Sequence, residues 1–147
     1  MSEKARTSRS EPGGDSAWDW SADVSGAAQG RRARLDFRAY LTRFAGAGSD
    51  IAAAELIFGE LLANVMRHAH GVGTFRLDWR DPHARLVVED RGRGFCDAPR
   101  GSLEDPVAET GRGLALVSIL AVEVSVSNRL GGGACVRVVL PVVRGRA

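Results

Sequence analysis

The rhythm of apolar residues changes along this chain, and those changes limit the folds open to it. Trp18, Trp20, Ala22 and Val24 alternate with Asp19, Ser21 and Asp23, the two-residue period of a half-buried strand. Residues 27–46 then place Ala33, Phe37, Tyr40, Leu41 and Phe44 at helical spacing, with arginines between them and Gly46 and Gly48 to end the helix. Ser49 or Asp50 can cap a second helix over residues 51–69, with Gly71 just beyond it. Residues 72–80 and 84–90 read as antiparallel strands joined by a turn at Asp81-Pro82, where proline presets the turn dihedral. Residues 95–110 sustain no period. Gly111 opens a third helix, running from Leu114 to about Leu120. Val122, Val124 and Val126 alternate over residues 121–128, and Gly131 to Gly133 turn the chain into a last strand at 135–140. This order implies an α+β protein, a two-layer sandwich with helices on one face of a mixed sheet.

The rhythm also sets the domain limits. Residues 1–16 are rich in Ser, Gly, Pro and charge and read as a flexible tail. Residues 17–141 form one domain, and 142–147 a short basic tail. At 147 residues, 44% hydrophobic and 26% charged, the chain has the composition of one globular domain, which excludes wholesale disorder. Its 20 basic and 18 acidic residues give no electrostatic case for binding nucleic acid. The only lysine is Lys4; the other basic residues are arginines. That excludes a P-loop, a eukaryotic-type kinase site and Schiff-base chemistry, each of which needs a placed lysine. Cys96 and Cys135 have no metal-ligand spacing. No apolar run approaches the roughly 18 residues that span a bilayer, and no apolar leader segment opens the chain. The expectation is a soluble, cytoplasmic protein.

Three features carry candidate chemistry. Glu60 and Asn64 are four apart on the second helix, one turn from each other at the margin of the stripe Phe58, Leu61, Leu62 and Val65. Alone, such a pair reads as a solvated helix edge. Asp90-Arg91-Gly92-Arg93-Gly94-Phe95 follows a strand directly; alternate glycines let backbone approach a ligand, and a carboxylate at a strand end can accept from an exocyclic amine. Alone, it reads as a hairpin-like turn. Gly111-Arg112-Gly113-Leu114 opens a helix, where free N–H groups and the dipole favour an anion; alone, it reads as a glycine-rich cap.

Together, in this order and with an irregular segment between the second and third, the three resemble the N, G1 and G2 boxes of the GHKL ATP-binding superfamily, which includes gyrase and the histidine kinases. The resemblance covers nearly the whole ordered chain, from about Trp18 to Pro141. Within the superfamily the chain most resembles the stand-alone anti-sigma-factor serine kinases of bacterial partner switching. Their pattern of a first strand, an arginine-rich helix and E-L-x-x-N-x-x-x-H-A-x-G is matched by Trp18 to Val24, Arg31 to Arg43 and Glu60 to Gly71. Kinases that switch on a phosphatase share these boxes and remain an alternative. Length leaves no room for the transducer domain of gyrase or for a phosphoacceptor hairpin.

The resemblance implies ATP and Mg²⁺ as cofactors. It gives Asp90 the adenine amino group, with Gly92 and Gly94 letting the base sit close, and gives Asn64 the Mg²⁺. Gly111, Arg112, Gly113 and Leu114 hold the phosphates, residues 96–110 form a lid, and Glu60 takes the proton of a partner's serine hydroxyl. The implied partners are an antagonist protein as phosphoacceptor and a sigma factor, with a homodimer suggested and no nucleic acid or membrane. One departure stands out: many members have Gly-Thr where this chain reads Gly132-Gly133-Ala134, which keeps open a non-catalytic, nucleotide-gated binding module. A detached ATP-binding half of a histidine kinase is the third reading. Arg31, Arg32, Arg34, Arg38 and Arg43 wind round the first helix, either as a solvated face or as a docking face for an acidic target. His68 reads as packing or support, Cys96 carries no redox reading, and Trp18, Trp20 and Trp79 read as core or sheet face.

Overall fold

The computed structural model describes residues 18–68, 72–91, 111–129 and 132–146. Five strands and three helices follow in the order β1 (Trp20–Val24), α1 (Ala27–Phe44), α2 (Ile51–His68), β2 (Gly73–Arg80), β3 (His83–Asp90), α3 (Gly111–Leu120), β4 (Glu123–Asn128) and β5 (Ala134–Val143). The strands form one sheet in the order β1-β2-β3-β5-β4. The class is the α+β sandwich expected, but every strand pairing among the described residues is antiparallel, where a mixed sheet was expected. The reason is placement. β3 and β4, joined through a helix, run the same way, and β5 inserts between them and pairs antiparallel with each.

The strands sort their side chains by alternation. Trp20, Phe75, Leu77, Leu86, Val88, Val136, Val138 and Leu140 join the core with the helices. α1 presents Ala33, Phe37 and Leu41, and α2 presents Ala54, Ile57, Phe58, Leu61 and Val65, each at helical spacing. The aromatic centre is a relay: Phe37 stacks on Phe58 at 4.4 Å, Phe58 meets Phe75 at 4.8 Å, and Trp20 abuts both Phe37 and Phe58.

The opposite face of the sheet is charged. Asp78, 5% exposed, takes two hydrogen bonds from Arg85 across the strand pair, at 3.0 and 2.8 Å. That bidentate contact is what permits a carboxylate to be buried there. The alternation that suggested a strand from Trp18 stops short: β1 begins at Trp20, and Trp18 turns to the charged face, under the guanidiniums of Arg76 and Arg85. Trp79 donates from its indole to the Tyr40 hydroxyl at 2.9 Å, with Arg144 over its ring.

Local signals explain the helix ends. Asp50 caps α2, its Oδ1 accepting from the N–H of Ala53 at 3.0 Å. Ser49, the alternative cap, faces Val143 instead, accepting from its N–H at 3.0 Å and lying 3.2 Å from its carbonyl oxygen. β5 runs three residues beyond Leu140, so Val142 is a core residue and not part of a terminal tail. Arg144 then bridges to Ala45. The sequence there is apolar at alternate positions (Val138, Leu140, Val142), and Pro141 hid the continuation because it removes one ladder donor.

Candidate functional site

The three sequence features lie on different elements, and backbone contacts bring two of these, α2 and β3, to one end of the sheet. α2 starts at the opposite end, where the N–H of Asp50 donates to the Pro141 carbonyl at 2.8 Å. Its eighteen residues, rising ~1.5 Å each, carry the later turns across the sheet. There the next-to-last turn touches down: a Cβ on Gly73 would lie 2.8 Å from Cγ1 of Val65. Gly73 pairs in turn with Asp90 across β2 and β3. A side chain at 73 would lift α2 off the sheet beside Asn64.

α3 packs along α2 and against β4, with Leu114 and Val117 in the core. Its far end is tied down where the N–H of Val122 donates to the Val139 carbonyl at 2.9 Å. Its ten residues span ~15 Å from a first turn at Gly111. Gly111, Arg112 and Gly113 form that first turn and Leu114 is buried behind it.

Asp90, the last residue of β3, is half-buried and held in place. Its Oδ1 accepts from the backbone N–H of Ala134 at 3.1 Å, and its carbonyl accepts from Nη1 of Arg129 at 3.1 Å. Arg129 is itself fixed, its N–H donating to the Gly133 carbonyl at 2.9 Å and its Nε lying 3.5 Å from Glu89. Gly133 adopts φ +98°, and a Cβ there would overlap the Asp90 carbonyl oxygen. Only glycine meets both demands. The contact that matters at position 134 is thus a backbone donor, which any non-proline residue supplies, and alanine in place of threonine leaves the Asp90 carboxylate anchored.

Glu60 and Asn64 sit half-buried on one flank of α2. The other flank, five residues or about 140° round the helix, faces α1: Glu55 pairs with Arg38 at 3.2 Å, and Gly59 lies 3.5 Å from the Arg34 guanidinium. The site residues and the arginines of α1 are therefore on different sides of one helix. Gly92, Gly94, Cys96 and the segment 96–110 lie outside the described residues, as does His70; His68 closes α2.

Among the described residues no group of three or more His, Cys, Asp or Glu could hold a metal. The amide oxygen of Asn64 is a hard donor suited to Mg²⁺, which takes one or two protein ligands and completes its shell with phosphate oxygens and water. Arg129, Gly73 and Gly133 were not legible as site residues. The signal for Gly133 was a run of glycines before a strand, which reads equally well as an ordinary turn.

A small α+β domain with a carboxylate fixed at a strand end, two polar residues on an adjoining helix and a glycine-rich helix start has the layout of a nucleotide-binding domain. The family comparison gives the class its particular form: the model of the histidine kinase-like ATPase domain matches residues 25–140, and the chain belongs to that family. The family is one of ATP-binding domains. A comparison with curated proteins gives no significant match. Among the described residues no helix is long and apolar enough to cross a membrane.

Proposed function

We propose that this chain is an anti-sigma-factor-type protein serine kinase, which transfers the γ-phosphate of ATP to a serine of an antagonist protein. What supports the reading is the four-residue spacing of Glu60 and Asn64, half-buried on α2, with the adjoining Val65 packed over Gly73, the cross-strand partner of Asp90. Asp90 accepts from the adenine amino group, its carboxylate oriented by the Ala134 N–H. The free backbone N–H groups at the start of α3 would bind the phosphates, with Arg112 in that turn supplying a further positive charge. Asn64 would hold the Mg²⁺, whose chemistry there is to neutralise phosphate charge.

Glu60 takes the proton from the serine hydroxyl as its oxygen bonds to the γ-phosphorus. The bond from that phosphorus to the β–γ bridging oxygen breaks, and ADP leaves. Positioning and charge neutralisation do most of the work of phosphoryl transfer, so arginine, metal and backbone N–H groups suffice without a lysine. Incubation with γ-labelled ATP and the antagonist protein should place acid-stable label on serine, and Glu60→Ala should abolish it. Equal labelling by the two proteins, or none by either, would remove the catalytic claim.

Ala134 supports a second reading. Without a hydroxyl at that position the domain keeps its base-binding carboxylate but supplies one donor fewer near the nucleotide. A nucleotide-gated binding module would then change partners with ATP or ADP, survive Glu60→Ala and fail in Asp90→Asn.

A further inference from the structure

We infer that the groove between α1 and α2 is a docking site for an acidic amphipathic helix of a partner protein, separate from the nucleotide site. The groove encloses about 430 Å³ and is floored by Phe37 and Phe58, with Ala52 and Leu56 on one wall and Arg34 and Arg38 on the other. Two large apolar side chains here stand in solvent, Leu56 of the groove wall at 53% exposure and Leu35 beside it on α1 at 66%. An open furrow between two helices is the shape that takes a third helix, with apolar anchors seated between the ridges.

Charge selects the occupant. α1 carries Arg31, Arg32, Arg34, Arg38 and Arg43 against Asp36 alone. Arg31, Arg34 and Arg38 recur at i, i+3 and i+7, one stripe along the rim. The acidic residue of the lining, Glu55, already pairs with Arg38. Gly59 has no side chain, and the Arg34 guanidinium lies across α2 in the room that leaves. A helix with leucines on one side and carboxylates beside them satisfies the Phe37–Phe58 floor and the arginine rim together. A polyanion such as nucleic acid would satisfy the rim and leave Leu35 and Leu56 in water.

Glu55 of the groove lining lies about 140° round α2 from Glu60, while the wall residue Leu56 stands one turn before Glu60, so the groove borders the Glu60 flank along one edge only. Docking does not require phosphoryl transfer, and it stands or falls apart from the proposed kinase activity.

The test uses the full chain and a fluorescent helical peptide of about five turns, with Leu at i, i+3, i+4 and i+7 and Glu at flanking positions. Anisotropy should report saturable binding that weakens at least about tenfold in Arg34→Glu and again in Leu56→Asp, and that fades with added salt. Leu56 is exposed, so its substitution leaves the core intact. Calorimetry with Mg-ATP should give the same affinity for both variants as for the parent chain, which shows that the nucleotide fold survives. Equal binding of the peptide with Lys in place of Glu, unaltered binding by both variants, or complete displacement by a DNA duplex of matched charge would each overturn the proposal.

Discussion

The two ends of the sheet are built differently. At the end where α2 begins, α1, α2, β5 and the turn between β2 and β3 are sewn together by backbone. Gly46 donates to Val143 at 2.7 Å, Gly145 to Phe44 at 2.8 Å, Asp50 to Pro141 at 2.8 Å and Arg144 to Pro82 at 3.1 Å, with Ser49 bound to Val143 besides. At the Asp90 end the close contacts involve glycines, a carboxylate and one arginine: Gly73 beneath Val65, Gly133 against Asp90, and Arg129 on the Asp90 carbonyl. One end fixes the elements in place. The other brings backbone close enough to admit a ligand, which is where chemistry can be done. Substitutions should accordingly separate stability from nucleotide affinity according to the end they touch.

The sharpest exception to that separation is Gly133. Alanine there must adopt a positive φ, costing about 1–2 kcal/mol, and must also displace the Asp90 carbonyl, an overpacking cost of about 1–3 kcal/mol. Gly133→Ala should lower the thermal midpoint and weaken ATP binding together; unchanged affinity would mean that the Asp90 carboxylate needs no such anchoring. Asp90→Asn is the cleaner probe. Asparagine keeps an oxygen for the Ala134 N–H, but under the proposed function the second acceptor, offered to adenine, becomes a donor. Calorimetry should show a loss of about 2–3 kcal/mol in ATP affinity with little change in midpoint, the scale of a hydrogen bond to a charged group.

Ser49→Ala probes the sewn end. It removes the hydroxyl that accepts from Val143 and leaves that buried-side N–H without its partner. Denaturant unfolding should show a loss of about 1–2 kcal/mol, with ATP affinity unaltered. A change in affinity there would mean that the two ends are coupled through β5.

This contrast also divides what the sequence revealed. The helices and the central strands were legible because their apolar residues repeat at one clean period, as in Phe37–Leu41 on α1 and Phe75–Leu77 on β2. Glu60, Asn64 and Asp90 were legible as candidates because they form a known spacing, and Val65, next to Asn64, packs over Gly73, which pairs with Asp90. The antiparallel pairing was not legible, since strand neighbours depend on where β5 inserts, a long-range choice that no local period encodes. Arg129 was invisible for the same reason, acting through Asp90, 39 residues away, and Gly73 acts through Val65 by a helix-on-strand contact that no local period encodes. The end of β5 was missed because Pro141 mimics a terminator.

The smallest expected effect compares the two ends through their titrating groups. Burial raises the Cys135 thiol above its ordinary value of 9.0, at the Asp90 end, and burial likewise raises the Tyr40 hydroxyl above 10.0 near the sewn end, against the Trp79 hydrogen bond, which pulls the other way. For each group the folded state holds its proton more tightly than the unfolded chain does. The stability they contribute is therefore fully present below the unfolded values and is lost as pH rises through the folded ones. Stability should be level with respect to these two groups up to about pH 8, then decline from about pH 9 for Cys135 and from about pH 10 for Tyr40. Cys135→Ser should remove the earlier part of the decline and Tyr40→Phe the later part, read by urea midpoints at successive pH values. A decline that both variants leave untouched would mean that neither of these two protons carries the alkaline loss.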